Sequence, residues 1–317
     1  MKIALIAPGF KPLPPQGWGA VESIVWDYYE NLVKRNIDVH IINQSNTNNI
    51  INECNAVPYD VIHIMYDDYI TIVPYISCKK IVYTSHFAYI THPEFEYRYS
   101  HYFHGIFKKV IEYQSRIHVN AISEQIIAVY KKHGYHSKSI SLLHNGARED
   151  LFRYTETPKK KDKSIYIAKI ENRKGQYKYQ SIPNIDFVGN FQDSSFSREN
   201  PNYLGEWDKP TLYENVTEYG NLVLLSDGEA DPLVVKEALI AGLGVVVSEC
   251  ASANLDLSKG YITVIPNEKR EDSLYVREQI EKNREISIQQ RREIREYALE
   301  KFAWNKIIDE YLEKLHK

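Results

Sequence analysis

Residues 222–248 constrain the fold of this chain more than any other segment. An apolar strand over 222–225 leads through an acidic loop into Pro232, a residue suited to the first position of a helix. The predicted helix runs to Ala241, ends at a pair of nearby glycines, and is followed by a second apolar strand over 245–247. This order indicates an α/β fold, and a helix start at the carboxyl end of a strand is typical of an anion-binding site.

Two glutamates accompany this predicted helix start. Glu229 lies just before the helix, and Glu237 lies eight residues later, inside it. Carboxylates accept hydrogen bonds from hydroxyl groups, while backbone N–H groups at a helix start hold phosphate. The arrangement therefore suits a ligand that carries hydroxyls on both sides of a diphosphate, as a nucleotide-sugar does.

Composition limits the class of protein. The 317 residues are enough for two domain cores, and 43% hydrophobic and 26% charged residues exclude a disordered chain. The 39 basic and 42 acidic residues give a net charge of −3, so no global charge favours nucleic acid. No apolar stretch is long enough to span a bilayer. Cys54, Cys78 and Cys250 form no metal-ligand pattern, which favours a reducing, cytoplasmic compartment.

The first half of the chain alternates short apolar strands with amphipathic helices, a pattern typical of a parallel, doubly wound sheet. The predicted strands are 3–7, 38–43, 61–65, 80–85, 117–122 and 139–143, and the predicted helices are 20–35, 103–114 and 124–133.

A polar stretch over 155–163, interpreted as a solvated linker, precedes a second run of the same pattern. Its predicted strands are 164–170, 185–188, 222–225, 244–248 and 262–265. Its predicted helices are 209–216, 232–241 and 286–299, with an amphipathic segment over 302–315. The restart predicts a second domain.

The spacing of Glu229 and Glu237 matches the Glu-x7-Glu motif of a known family, and the chain resembles the retaining GT-B glycosyltransferases of family 4. The resemblance implies an α/β fold of two Rossmann-like domains with parallel sheets that face a central cleft. It implies an acceptor-side domain over 1–152 and a nucleotide-sugar-binding domain over 153–302. The last helix, 303–317, would pack back on the first domain.

The segment from Gly17 to Glu22 resembles the Gly-Gly-x-Glu loop of the family, with Trp18 in place of one glycine. In the family this loop lies on the acceptor and phosphate side of the cleft. The resemblance therefore implies that Gly17 and Gly19 contact the donor. The alternative interpretation is a simple turn that starts a helix.

Residues 168–175 resemble the family pattern Gly-Arg-Leu, three residues, then Lys-Gly. Lys169 falls on the arginine position, Lys174 on the lysine position, and Ala168 replaces the glycine. In the family these cations neutralise the donor diphosphate. Lysine gives a point charge instead of the bidentate fork of arginine, and Arg173 is a candidate substitute in a shifted register. The alternative is a set of exposed loop cations.

His86 ends a predicted strand where family members often carry a histidine near the donor sugar, and a structural histidine is the alternative. Trp207 lies in a segment that borders the nucleotide base in the family, where it would stack on the base or pack internally. Asp67 and Asp68 could suggest a metal site, but the resembled fold generally needs no metal. We therefore expect no metal ion and no cofactor.

The resemblance implies a division of roles among these residues. Lys169, Lys174 and the helix start would stabilise the departing diphosphate, Glu237 would hold the ribose, and Glu229 the donor sugar. The expected catalytic residues are His86, Lys169, Lys174 and Glu229. The expected nucleotide-sugar-binding residues are Gly17, Gly19, Trp207, Asp231, Pro232, Leu233 and Glu237.

The expected activity is transfer of a hexose or pentose from a nucleoside-diphosphate sugar to a hydroxyl of a saccharide, glycan or lipid-linked acceptor, with retained configuration. A nucleotide-sugar epimerase, a catalytically silent nucleotide-sugar-binding protein and a transferase acting on modified DNA remain alternatives. No stable membrane insertion is expected. The aromatic and basic segment over 101–109 would suit a peripheral position at a membrane surface, or a helix packed on the sheet.

Overall fold

The computed structural model describes residues 1–17 and 19–316, and it divides into two compact units. Unit 1 comprises Met1–Asn145 together with Ile307–Lys317, and unit 2 comprises Gly146–Lys306. Trp18, singled out in the glycine loop, lies outside the described residues, as does Lys317.

Unit 1 is built on a six-stranded parallel sheet in the order β2-β1-β3-β4-β5-β6. Its strands are β1 (Lys2–Ile6), β2 (Asp38–Ile42), β3 (Val61–Ile64), β4 (Ile81–Tyr83), β5 (Ile117–Ala121) and β6 (Ile140–Leu142). Its helices are α1 (Ala20–Val33), α2 (Thr47–Ala56), α3 (Lys108–Glu112) and α4 (Glu124–Lys132), with 3-10 helices at Asp67–Tyr75 and Pro93–Phe95 and a π-helix at His101–Phe107.

Unit 2 is built on a five-stranded parallel sheet in the order β11-β10-β9-β7-β8. Its strands are β7 (Lys160–Ile167), β8 (Ile185–Val188), β9 (Tyr219–Leu224), β10 (Gly244–Ser248) and β11 (Ile262–Ile265). Its helices are α5 (Gln176–Tyr179), α6 (Lys209–Asn215), α7 (Leu233–Ile240), α8 (Ser273–Gln289), α9 (Arg291–Phe302) and the first residues of α10 (Trp304–His316), with 3-10 helices at Asn172–Lys174, Val216–Glu218, Glu249–Ala251 and Asn267–Lys269.

The two parallel sheets confirm the predicted α/β architecture. Strands such as β3, β9 and β10 are buried along their whole length, as expected for parallel strands covered on both faces. Among the described helices, none combines the length and the apolar character that crossing a bilayer requires.

In unit 2, three details of the predicted elements are wrong. Pro232 is the N-cap of α7, which begins one residue later, at Leu233. The helix predicted over 286–299 is two helices, because the backbone leaves the helical conformation at Gln290. The polar linker ends early: β7 begins at Lys160, whose ammonium donates to the Tyr219 hydroxyl at 2.7 Å.

The part of α10 that belongs to unit 1 packs through an aromatic side chain. The ring of Tyr311 is buried, edge-on to the ring of Tyr28 at 5.1 Å and stacked on the imidazole of His63 at 5.4 Å. Near the surface, Arg35 Nε donates to Asp309 Oδ1 at 2.6 Å. Residues that follow unit 2 in the chain therefore complete the core of unit 1.

His63 makes the stability of unit 1 depend on pH. Burial, with His86 and His118 nearby, lowers the pKa of His63 to about 3, whereas an unfolded histidine titrates near about 6.5. Because the pKa of His63 is lower in the folded state, the contribution of neutral His63 to the free energy of unfolding is fully present above the unfolded-state pKa. It is lost as the pH falls towards the folded-state pKa.

We therefore expect the free energy of unfolding to fall more steeply in the parent than in His63→Gln as the pH is lowered. The difference should reach about 1.4 kcal/mol per pH unit between about pH 6 and pH 4. Urea unfolding of both proteins over a pH series measures it, and parallel pH profiles would contradict the assignment.

Candidate active site

The candidate site in unit 2 is formed by the loops that follow β7 and β9 at the carboxyl edge of the sheet. The hydroxyl of Tyr166, on β7, joins the two loops: it donates to the carbonyl of Lys174 at 2.5 Å and accepts from the N–H of Leu225 at 2.8 Å. A second link is the Asp227 N–H, which donates to the Arg173 carbonyl at 2.8 Å. The turn that carries the cations is therefore fixed to the loop that carries the carboxylates.

Gly175 permits this close approach. Its φ of 69° lies in the left-handed region, and a Cβ placed there would be 3.3 Å from the Leu225 carbonyl oxygen. The glycine ends the 3-10 turn Asn172–Lys174. Lys174 is thereby placed next to the loop after β9.

Glu229 and Lys174 form the central ion pair of the site. Lys174 Nζ donates to Glu229 Oε1, the same oxygen accepts from Ser226 Oγ at 2.7 Å, and Arg173 Nη1 lies 3.9 Å from Glu229 Oε2. Only 10% of the Glu229 side chain and 13% of the Lys174 side chain are exposed. Burial alone would raise the pKa of Glu229, but Lys174 and Arg173 lower it below its usual value. Glu229 is therefore an ionised acceptor at neutral pH.

A second carboxylate balances the remaining cations of the turn. Glu171 Oε2 lies 3.5 Å from Lys169 Nζ, and Glu171 Oε1 accepts from Arg173 Nη2 at 2.8 Å. The other terminal nitrogen of Arg173 donates to the Gly228 carbonyl at 2.5 Å. One end of the sheet therefore carries three cations, those of Lys169, Arg173 and Lys174. Arg173, the candidate substitute for the family arginine, supplies the guanidinium.

Glu237 lies on α7 with 14% of its side chain exposed, and Lys209 Nζ is 3.9 Å from its Oε1. Burial raises the pKa of Glu237, and the charge of Lys209 opposes part of that rise. Its predicted role at the ribose stays a prediction.

Asp231 was expected at the helix start that holds the diphosphate, and its side chain lies in the interior. Its carboxylate is fully buried, forms an ion pair with Lys236 and accepts from Asn254 Nδ2 at 3.0 Å. It does not face solvent, and the expected role of Asp231 in donor binding stays a prediction. Pro232 has no N–H to donate, so donors at the start of α7 come from Leu233 onwards.

Trp207 is half-buried and packs against the hydrophobic core of unit 2, with its ring centroid 6.4 Å from that of Tyr219. This contact corresponds to internal packing, one of the two roles predicted for Trp207. Stacking on a base stays a prediction.

The remaining predicted residues belong to unit 1. Gly19 is the N-cap of α1 with a φ of 140°, and a Cβ there would lie 2.7 Å from Glu22 Oε2. Gly17 lies in the bend before it. His86 follows β4, and its N–H donates to Asp67 Oδ2 at 3.2 Å.

Asp67 and Asp68 have different partners. Asp67 Oδ1 accepts from Ser85 Oγ at 2.5 Å and from the Tyr83 hydroxyl at 3.0 Å, while Asp68 Oδ1 lies 3.4 Å from His101 Nε2. Within residues 1–17 and 19–316, no group of three or more His, Cys, Asp or Glu side chains is arranged to hold a metal ion.

Several residues that hold the loops in place were not predicted from the sequence. Arg270 Nη1 pairs with Asp227 Oδ1 at 2.7 Å, across more than forty positions of sequence, and no local pattern indicates that contact. Lys236 gave a usable signal, because it is a single lysine within an otherwise apolar helix start. A lysine in such a position requires a buried partner.

Solved structures share this fold. A sucrose-phosphate synthase from Thermosynechococcus elongatus is 15% identical, with a TM-score of 0.77 over 98% of this chain and 97% of that chain. HepE from Anabaena, solved in complex with UDP, is 16% identical, with a TM-score of 0.73 over 100% of each chain. WaaG, a glycosyltransferase involved in lipopolysaccharide biosynthesis, is 14% identical, with a TM-score of 0.68 over 98% of each chain.

No family model and no curated protein matches the chain in sequence. At these identities the similarity to solved structures establishes the fold: two parallel sheets of six and five strands, as in GT-B glycosyltransferase structures.

The Glu229–Lys174 pair predicts a coupled response to mutation. Lys174→Met leaves a poorly exposed carboxylate without its nearest cation, which should lower the free energy of unfolding by about 1–3 kcal/mol. Adding Glu229→Gln should recover at least half of that loss. A double-mutant cycle measured by denaturant unfolding gives the coupling energy.

The exposed pair of Arg292 and Glu156 is the matched control, with 72% and 51% of the side chains exposed. Arg292→Met should change stability by no more than about 1 kcal/mol. Additive effects of the Lys174 and Glu229 substitutions would rule out the coupling.

Proposed function

We propose that this protein is a retaining glycosyltransferase that moves a hexose or pentose from a nucleoside-diphosphate sugar to an acceptor hydroxyl. The observation that carries the proposal is the cluster of cations at the carboxyl edge of the second sheet: Arg173 and Lys174 lie beside Glu229, and Lys169 is linked to Arg173 through Glu171. A diphosphate leaving group needs cations, and a sugar needs a fixed hydrogen-bond acceptor.

The reaction breaks the bond between the anomeric carbon and the diphosphate oxygen, and a new bond forms from the acceptor oxygen to the same carbon. The acceptor proton passes to the departing diphosphate oxygen on the same face, so that configuration is retained. Negative charge grows on the diphosphate as its bond breaks, and Lys169, Arg173 and Lys174 stabilise that charge. Glu229 holds the donor sugar and Glu237 the ribose.

The comparisons support the donor class. HepE was solved with UDP and with UDP-glucose, and WaaG and WaaB are named as glycosyltransferases of lipopolysaccharide biosynthesis and its outer core. A saccharide, a glycan or a lipid-linked sugar is the acceptor that we propose for this chain.

A thermal-shift screen against UDP-, GDP-, ADP- and dTDP-sugars tests donor binding, because a specific ligand raises the melting temperature by mass action. The best ligand then enters a turnover assay with and without sugar acceptors. Conversion of the donor sugar without an acceptor would favour an epimerase, and binding without any turnover would favour a silent binding protein.

Three variants separate the proposed roles. Lys174→Ala should lower kcat by roughly 10²–10³ with a smaller effect on donor affinity, because the charge that it stabilises grows towards the transition state. Glu229→Gln should lower turnover and leave the affinity for the free nucleotide unchanged. Glu237→Ala should chiefly weaken nucleotide binding.

Calorimetry with the nucleotide and steady-state kinetics on folded variants measure these effects. Parent-like binding and turnover in all three variants would refute this placement of the site. Arg292→Met, which lies at an exposed ion pair, serves as the unaffected control.

Donor turnover should also persist in excess EDTA, since cationic side chains are proposed to stabilise the diphosphate in place of a metal ion. Kinetics with and without chelator check this. Loss of activity that manganese or magnesium restores would contradict a metal-independent mechanism.

A further inference from the structure

Lys236 and Asp231 form an ion pair with almost no solvent exposure, 1% for the lysine side chain and 0% for the aspartate side chain. Taking two charges out of water is costly, and two apolar side chains could fill the same space without that cost. Fold stability alone therefore does not account for this pair.

The pair joins three segments of unit 2. Asp231 lies two residues after Glu229 in the loop that follows β9, whereas Lys236 lies on α7. The second oxygen of the carboxylate accepts from Asn254 Nδ2 at 3.0 Å, and Asn254 lies in the segment after β10. One carboxylate thereby fixes the loop of Glu229 to the helix and to the neighbouring strand connection.

The two partners of Asp231, Asn254 and Lys236, are themselves held in specific arrangements. Asn254 has a φ of 65°, a left-handed conformation that asparagine tolerates better than most residues. The ammonium of Lys236 lies 5.4 Å from the centroid of the Phe302 ring, in reach of a cation–π contact. The geometry is that of a directional anchor, which a pair of apolar side chains could not reproduce.

We propose that the Asp231–Lys236 ion pair is a positioning device that holds Glu229 and the start of α7 in the arrangement that receives the nucleotide-sugar donor. This inference rests on the proposed function. Neither side chain is exposed, so both act through the loop and not by contact with the ligand.

The double variant Asp231→Leu/Lys236→Met tests the proposal against a purely structural role. Each single substitution should lower the melting temperature sharply, because it leaves one buried charge unpaired. The double variant should recover most of that temperature and still bind the donor about 10-fold more weakly, equal to about 1.4 kcal/mol. The donor is the nucleotide-sugar that gives the largest thermal shift with the parent, and calorimetry gives its Kd.

Two further variants separate an effect on donor affinity from an effect on stability. Ile280→Ala removes a buried side chain on α8 and should lower the melting temperature with the donor Kd unchanged. Asn254→Ala removes one partner of Asp231 and keeps the ion pair, so the Kd should rise about 3-fold with little change in melting temperature.

A parent-like Kd in both the double variant and Asn254→Ala would overturn the inference and leave the pair a structural feature. If the double variant does not fold, the Kd of Asn254→Ala decides alone. Failure of the parent to bind any nucleotide-sugar would instead refute the proposed function, so the two failures are distinguishable.

Discussion

Pairing of carboxylates with cations at low solvent exposure is the interaction on which the loop after β9 depends. Glu229 forms an ion pair with Lys174, and Asp231, two residues later, forms a fully buried one with Lys236. A charge buried without a partner would be costly, so loop arrangements that separate either carboxylate from its cation are unfavourable.

The parallel sheet supplies the frame for these pairs. Strands β7 and β9 are adjacent and end at the same edge, so the turn with Lys174 and the loop with Glu229 start side by side. The hydroxyl of Tyr166 joins them from within the sheet. Strand pairing thus brings the two loops side by side, and the Tyr166 hydroxyl fixes them to each other.

The sequence supported accurate prediction where the signal is local. Short apolar strands between amphipathic helices predicted both parallel sheets, and the motif over 168–175 singled out the turn whose lysine pairs with Glu229. The start of α8 was missed, because that helix has a weakly apolar face interrupted by charged residues.

Contacts between distant residues could not be predicted from local pattern. Asp231 was predicted to lie at the helix start that binds the donor, whereas its buried contacts with Lys236 and Asn254 were not predicted. The salt bridge of Arg270 and Asp227 likewise depends on how two loops meet in space. Sequence spacing offers candidates for the site, and tertiary packing decides which of them face solvent.

The packing of Tyr311 on Tyr28 and His63 has a consequence for synthesis of the chain. Residues from Ile307 onwards leave the ribosome only after all of unit 2, Gly146–Lys306. At about 5–20 residues per second, that interval is on the order of 10 to 30 s. During this time the rings of Tyr28 and His63 lack the Tyr311 ring that packs on both in the folded chain, so the core of unit 1 is completed only after unit 2 has been made.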